Sequence, residues 1–161
     1  MFVSADSTDE SEGINIVNRP RVLLADDHKE VCDGVVRLLT PELEVVGVVQ
    51  DGQELLSAEA DLLPDVCVID ISMPSISGIE AVRVLKASGS KAKIVFLTVH
   101  EDPDFVRAAL GIGALGYVVK SRIASDLATA IRLALTGGSF ISPSQKLRSF
   151  AIDSKVLVKP F

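Results

Sequence analysis

The sequence predicts an α/β protein built on a doubly wound parallel sheet, and three observations carry that prediction. Short runs rich in β-branched residues alternate with stretches of helical periodicity along residues 20–142. The runs are apolar throughout, as strands covered on both faces must be, rather than alternating apolar and polar. Several of them end in a polar side chain, as strands do where an open sheet presents its chemistry. Strict alternation of strand and helix favours parallel pairing with right-handed crossovers. The simplest such arrangement is a five-stranded sheet of order 2-1-3-4-5.

Each element is legible in turn. Val22–Ala25 forms the first strand, and Lys29–Leu39 an amphipathic helix with Val31, Val35, Leu38 and Leu39 inward, ended by Pro41. Leu43–Val49 is the second strand, followed by a helix over Gln53–Glu59 that turns Leu55 and Leu56 inward. Pro64 precedes the third strand, Val66–Asp70. Met73, Pro74 and Gly78 make a loop, and the third helix runs from Ile79 to Ala87 with Ile79, Val82 and Leu85 inward. Ile94–Thr98 is the fourth strand. Asp102 then reads as an N-cap, with Pro103 at the first helical position. Tyr117–Lys120 is the fifth strand. Ser125 or Asp126 caps the last helix, which buries Leu127, Ala130, Ile131 and Leu135 and stops at Gly137-Gly138. Gly111 to Gly116 spells G-x-G-x-x-G, but it ends a helix and precedes a strand. A dinucleotide fingerprint needs the reverse order, so these glycines read as a helix terminus and turn.

Composition bounds the function. The chain has 161 residues, 48% hydrophobic and 24% charged, enough for one domain with a real core. A net charge of −6 and a pI near 4.9 disfavour nonspecific nucleic-acid binding and a basic membrane patch. Phe2 and Val3 are followed by Asp6, Asp9, Glu10 and Glu12, which is no signal peptide, and no apolar run approaches a membrane span. Cys32 and Cys67 read as small buried hydrophobes rather than a disulfide or a metal pair. A cytoplasmic protein is expected. Residues 1–19 form an acidic lead without periodicity, expected to be disordered, and residues 143–161 a linker-like or helical tail.

The strand ends carry the chemistry. Asp26 and Asp27 close strand one, Asp70 closes strand three, Thr98 strand four and Lys120 strand five. One Asp at a strand end is usually a turn former or helix cap. In the order 2-1-3-4-5, however, strands one and three are neighbours, and their acids meet. Clustered carboxylates stay ionised together only beside a cation, and all-oxygen ligation suits Mg²⁺, with Mn²⁺ as the alternative. A divalent ion beside a free carboxylate and an ammonium makes a phosphoryl-transfer site, with Thr98 as a hydroxyl donor to phosphoryl oxygen. His28 and His100 are weaker candidates for a metal or base role, because the acids already explain a hard cation.

These residues carry a family resemblance. Leu23-Leu24-Ala25-Asp26-Asp27-His28, Val68 to Pro74 with Gly78, Phe96-Leu97-Thr98 and Gly116 to Ser121 together resemble the receiver domain of two-component response regulators, over about residues 20–142. Ser121 after the lysine and the run Gly137 to Pro143 resemble the NarL/FixJ (LuxR-type) subfamily. The resemblance implies a flavodoxin-like (βα)5 fold and a phosphoprotein switch. Asp70 would take a phosphoryl group from a histidine kinase or phosphotransfer protein. Asp27, Asp70 and the Ser72 backbone carbonyl would hold Mg²⁺, with Asp26 acting through water. Thr98 and Lys120 would bind phosphoryl oxygens, and Tyr117 would turn inward as Thr98 moves. Val99 departs from the small residue usual after the threonine and is expected to narrow access to Asp70. Ser72 and His100 are expected to rim the site and tune the lifetime of the phosphorylated state.

The output is less legible. Residues 144–161 are too few for the helix-turn-helix domain that such regulators carry, so DNA binding by this chain is not expected. A homodimer or a partner protein would then receive the signal. The runner-up is a shortened DNA-binding transcription regulator. A flavin- or nucleotide-binding protein on the same sheet is disfavoured, because Asp26-Asp27-His28 puts acids where a phosphate would need donors.

Overall fold

The computed structural model describes residues 19–143, so the readings for the amino-terminal lead and the basic tail fall outside the described residues. Its elements run β1 (Arg21–Ala25), α1 (Lys29–Leu39), β2 (Glu44–Val49), α2 (Gly52–Leu62), β3 (Val66–Ile69), α3 (Gly78–Ala87), β4 (Lys93–Thr98), α4 (Pro103–Gly111), β5 (Gly116–Val119), a 3₁₀ turn (Lys120–Arg122), α5 (Ile123–Leu135) and β6 (Phe140–Ile141).

All strand pairs are parallel, and the order is 2-1-3-4-5-6. The expected five-stranded order is therefore present with one strand added. Phe140 and Ile141 pair with Gly116 and Tyr117, so β5 is not an edge. Two residues are too short a run to show periodicity, which is why β6 escapes a reading by pattern.

Strand alternation divides the core into two layers. Leu23, Ala25, Cys67, Ile69, Ile94, Phe96 and Tyr117 face α2, α3 and α4, where Leu55, Val82 and Val106 meet them. Val22, Leu24, Val66, Val68, Val95, Leu97 and Val118 face α1 and α5, where Val35, Leu127 and Ile131 pack. On α1 the inward face is Cys32, Val35 and Leu39, whereas Leu38 is exposed. Both cysteines are buried and free, as expected of small hydrophobes.

Capping fixes the helix starts. Asp102 accepts from the Asp104 N–H at 2.8 Å, with Pro103 opening α4 as expected. Ser77 caps α3. Asp51 accepts from Glu54 N–H while the Glu54 carboxylate accepts from Gln50 N–H, each at 2.8 Å, a reciprocal box that starts α2 one residue earlier than the periodicity suggested. Two readings are corrected. The last helix begins at Ile123, and neither Ser125 nor Asp126 caps it: Asp126 is turned inward and fully buried. Lys120 lies in the 3₁₀ turn rather than in β5. The glycine-rich run does end a helix and turn, with Gly113 at φ +98°.

Candidate phosphoacceptor site

The carboxyl ends of β1, β3, β4 and β5 converge. Val22–Ala25 pairs in register with Val66–Ile69, so the residues that follow, Asp26 and Asp70, emerge side by side, and the Asp70 N–H bonds the Ala25 carbonyl at 2.8 Å. The loop after Asp70 turns back against it through a 2.7 Å bond from Gly78 N–H to the Ile71 carbonyl. Gly78 is required there, because a Cβ would collide with the Asp70 carbonyl oxygen. The 3₁₀ turn after β5 then delivers Lys120 over both acids.

Lys120 Nζ lies 2.8 Å from Asp26 Oδ2 and 3.2 Å from Asp70 Oδ2. The second contact is a directed hydrogen bond. The first is a short ion pair to the fully buried Asp26 Oδ2. Asp27 is partly exposed at the rim. His28 folds over the acids: its Nδ1 is 2.9 Å from Asp26 Oδ1, 3.2 Å from Asp27 Oδ1 and 3.3 Å from Lys120 Nζ. Donor atoms of Asp26, Asp27, His28 and Asp70 all lie within 4.8 Å of one another. The His28 ring thus joins the acid cluster, a placement its position next to Asp27 allowed but periodicity did not reveal.

Electrostatics follow from burial. Burial, and then the neighbouring Asp26 charge, push the Asp70 carboxyl above the ordinary 3.8, against the pull of Lys120. Burial pushes the Lys120 ammonium down, but its contacts with Asp26 and Asp70 outweigh that and hold it above 10.5. Cys32, whose Sγ lies 3.3 Å from the Asp26 carbonyl oxygen, is pushed up to about 11 by burial and the Asp26 charge, so it is an inert thiol.

A second group of predicted residues forms a connected rim. Thr98 is fully buried and its Oγ accepts from the His100 N–H at 3.1 Å. The His100 carbonyl accepts from Tyr117 Oη at 2.9 Å, and Tyr117 is itself fully buried, in the inward position. Burial, with Asp102 and Glu101 nearby, raises the Tyr117 phenol, so it remains a donor. Ser72 donates its N–H to Asp70 Oδ1 at 3.2 Å, and its hydroxyl meets His100 Nε2 at 2.8 Å. The His100 ring stacks on Phe105 with centroids 4.3 Å apart. Ser72 and His100, both expected at the rim, meet as one bridge across it. Val99 instead points outward and is 66% exposed.

Comparison with known proteins agrees with this geometry. The response regulator receiver domain family matches residues 22–132. The response regulator GacA of Pseudomonas viridiflava is 39% identical over 145 residues, covering 88% of this chain and 68% of GacA. The transcriptional regulatory protein DegU of Brevibacillus brevis is 35% identical over 128 residues, covering 78% of this chain and 54% of DegU. The chain thus spans about half to two thirds of the length of these curated relatives. Among solved structures, a LuxR-family two-component response regulator from Aurantimonas sp. SI85-9A1 superposes with a TM-score of 0.77 at 31% identity, covering 86% of this chain and 99% of that one. The isolated receiver domain of RcsB from Salmonella enterica serovar Typhimurium, in the presence of the phosphomimetic BeF₃⁻, gives a TM-score of 0.74 at 29% identity, covering 81% and 98%. The flavin reading finds no support among these relatives. Among the described residues no helix is long and apolar enough to cross a membrane. The chain belongs to the response regulator receiver family, with NarL/LuxR-type relatives, and its role is that of a phosphoacceptor signalling domain.

Proposed function

We propose that Asp70 is the phosphoacceptor and that the phosphoryl donor is a histidine kinase or phosphotransfer protein. The observation that carries this is a buried Asp70 oxygen held 3.2 Å from the Lys120 ammonium, inside a cluster of acids drawn from a neighbouring strand. One Asp70 oxygen forms a bond to phosphorus as the bond to the donor's histidine nitrogen breaks, and the electron pair leaves with that nitrogen. Lys120, already 3.2 Å from Asp70, neutralises a phosphoryl oxygen, and Thr98 Oγ donates to another as charge develops in transfer.

The donor set fits a hard divalent cation. Three carboxylates converge, with a donor atom of each and of His28 within 4.8 Å of one another. We propose Mg²⁺, or Mn²⁺ in its place, on Asp27, Asp70 and the Ser72 carbonyl, with Asp26 acting through water. When bound, that ion would shield the phosphoryl oxygens from the acids.

Phosphorylation acts through the connected rim. A phosphoryl group on Asp70 accepts from the Thr98 O–H and draws Thr98 toward it, which loads the bond that Thr98 Oγ accepts from the His100 N–H, and His100 in turn holds Tyr117. The Thr98–His100–Tyr117 chain is thereby biased between two arrangements. The Ser72–His100 bridge sets access of water to the phosphoryl group and hence its lifetime. Residues 20–142 form the receiver domain and act in the cytoplasm. Catalysis is confined to the domain's own phosphorylation and slow dephosphorylation. The relatives DegU and LiaR, each named a transcriptional regulatory protein, favour transcription control as the eventual output, passed on through a homodimer or partner rather than by DNA contact from the receiver itself.

Intact mass after incubation with acetyl phosphate, with and without Mg²⁺, tests the reading. A single phosphoryl adduct that needs both Mg²⁺ and Asp70 supports it. An undiminished adduct in Asp70→Asn overturns it.

A further inference from the structure

Asp126 is the one buried acid of the described residues that is paired to an arginine. It sits one turn into α5, fully buried, and its carboxylate is held below its ordinary 3.8 because bonds from Arg122, Ser142 and Ser125 outweigh the burial that would raise it. Oδ2 accepts from Arg122 Nε and from Ser142 Oγ, both at 2.8 Å. Oδ1 accepts from Ser125 Oγ at 2.9 Å. The Ser142 hydroxyl is used twice: while donating to Asp126 it accepts the Val119 N–H at 3.1 Å.

The residues so tied are informative. Val119 immediately precedes Lys120, and Arg122 closes the 3₁₀ turn that Lys120 opens. One buried carboxylate therefore holds the chain on both sides of Lys120, through a side chain after it and through a serine-bridged amide before it. Ser142 comes from beyond β6, so the hold exists only while that segment lies against β5. A cap would serve α5 alone, and a solvated residue at the helix end could supply it. Burying an ion pair is costly unless the arrangement specifies something that an apolar residue would not.

We propose that Asp126 and Ser142 are positioning residues for Lys120, a latch that fixes its ammonium over Asp26 and Asp70 and makes phosphoryl transfer depend on the docking of residues 140–142. This rests on the phosphoacceptor reading. Mg²⁺ would be held by the acids, so releasing the latch would slow transfer without weakening metal binding.

The test compares Ser142→Ala and Asp126→Asn with Ser90→Ala, a control that breaks a hydroxyl–carboxylate bond to Glu59 at the opposite end of the sheet. The latch predicts phosphorylation by acetyl phosphate at saturating Mg²⁺ slowed about tenfold or more in Ser142→Ala, as misplacement of a charged group produces, with Mg²⁺ affinity by calorimetry undiminished. Ser90→Ala keeps the wild-type rate. A folded Ser142→Ala protein phosphorylated at the wild-type rate overturns the latch, and this variant decides the matter should Asp126→Asn fail to fold. In metal-free protein the Lys120 ¹³Cε resonance shifts in Ser142→Ala and not in Ser90→Ala. That readout needs no phosphoryl group, and an unmoved resonance also overturns the latch. Wild-type protein that takes no phosphoryl group speaks against the phosphoacceptor reading instead.

Discussion

The two ends of the sheet use charge in opposite ways. At the amino end of the strands Arg21, Asp65 and Glu59 each have their own partner. Arg21 donates its N–H to Asp65 Oδ2 and its guanidinium to the Leu62 and Leu63 carbonyls that end α2, and Glu59 accepts from Ser90 at 2.6 Å. At the carboxyl end Asp26 and Asp70 share a single ammonium, and the Asp70 carboxyl is pushed upward by burial and by Asp26. One end is satisfied and holds the fold together. The other places more negative than positive charge in one buried cluster.

The largest expected contrast lies in removing the cation. Lys120→Met strands two buried carboxylates and should lower unfolding stability by about 3 kcal/mol in metal-free buffer, by the usual cost of orphaning a buried charge. Mg²⁺ should restore part of that loss. Glu59→Gln, at the other end, should cost less than about 1 kcal/mol, one hydrogen bond's worth. Equal losses in denaturant titrations would break the comparison.

Next is Asp70→Asn, expected to stabilise the metal-free protein by removing a charge that burial and the neighbouring Asp26 disfavour. Its pH dependence sharpens the point. A carboxyl raised in the folded state binds protons more tightly there than when unfolded. Its ionisation therefore costs stability above the folded value, and that cost is relieved as pH falls through the folded value toward the ordinary 3.8. Asp126 is shifted down, so its contribution is present above 3.8 and is lost as pH falls through its depressed value. Asp70→Asn should abolish the mild-acid gain, whereas Asp126→Asn should abolish part of the loss at lower pH. Thermal melts across that range distinguish them.

Smaller still, Tyr117→Phe removes the bond to the His100 carbonyl and should cost about 1 kcal/mol or less, read by the same denaturant titrations. Val99→Ala, on an outward-facing side chain, should leave stability within about 0.5 kcal/mol. Because Val99 follows Thr98 at the site's edge, removing its bulk should raise the phosphorylation rate, and an unchanged rate in stopped-flow phosphorylation would show that it does not shield Asp70.

The satisfied core and the acidic edge were not equally legible. Apolar runs such as Val66–Ile69 declare themselves through local pattern, and Asp102-Pro103 marks a helix start within two residues. The strand-end acids were legible because sheet order turns their sequence positions into neighbours. What escaped depends on distant partners. Asp126 resembles an N-cap until Ser142, sixteen residues on, and Arg122 draw it inward. Ser72 and His100 are 28 residues apart and meet only across the rim. Phe140-Ile141 becomes a strand because Gly116 and Tyr117 offer it an open edge, and two residues carry no period of their own.

The most direct test of the central claim is to locate the phosphoryl group. Protein phosphorylated by acetyl phosphate in Mg²⁺ would be reduced with borohydride, which converts an aspartyl phosphate to homoserine, and its peptides then mapped by mass. The account requires homoserine at position 70 alone. Homoserine at position 26 or 27, with Asp70 unchanged, would contradict it.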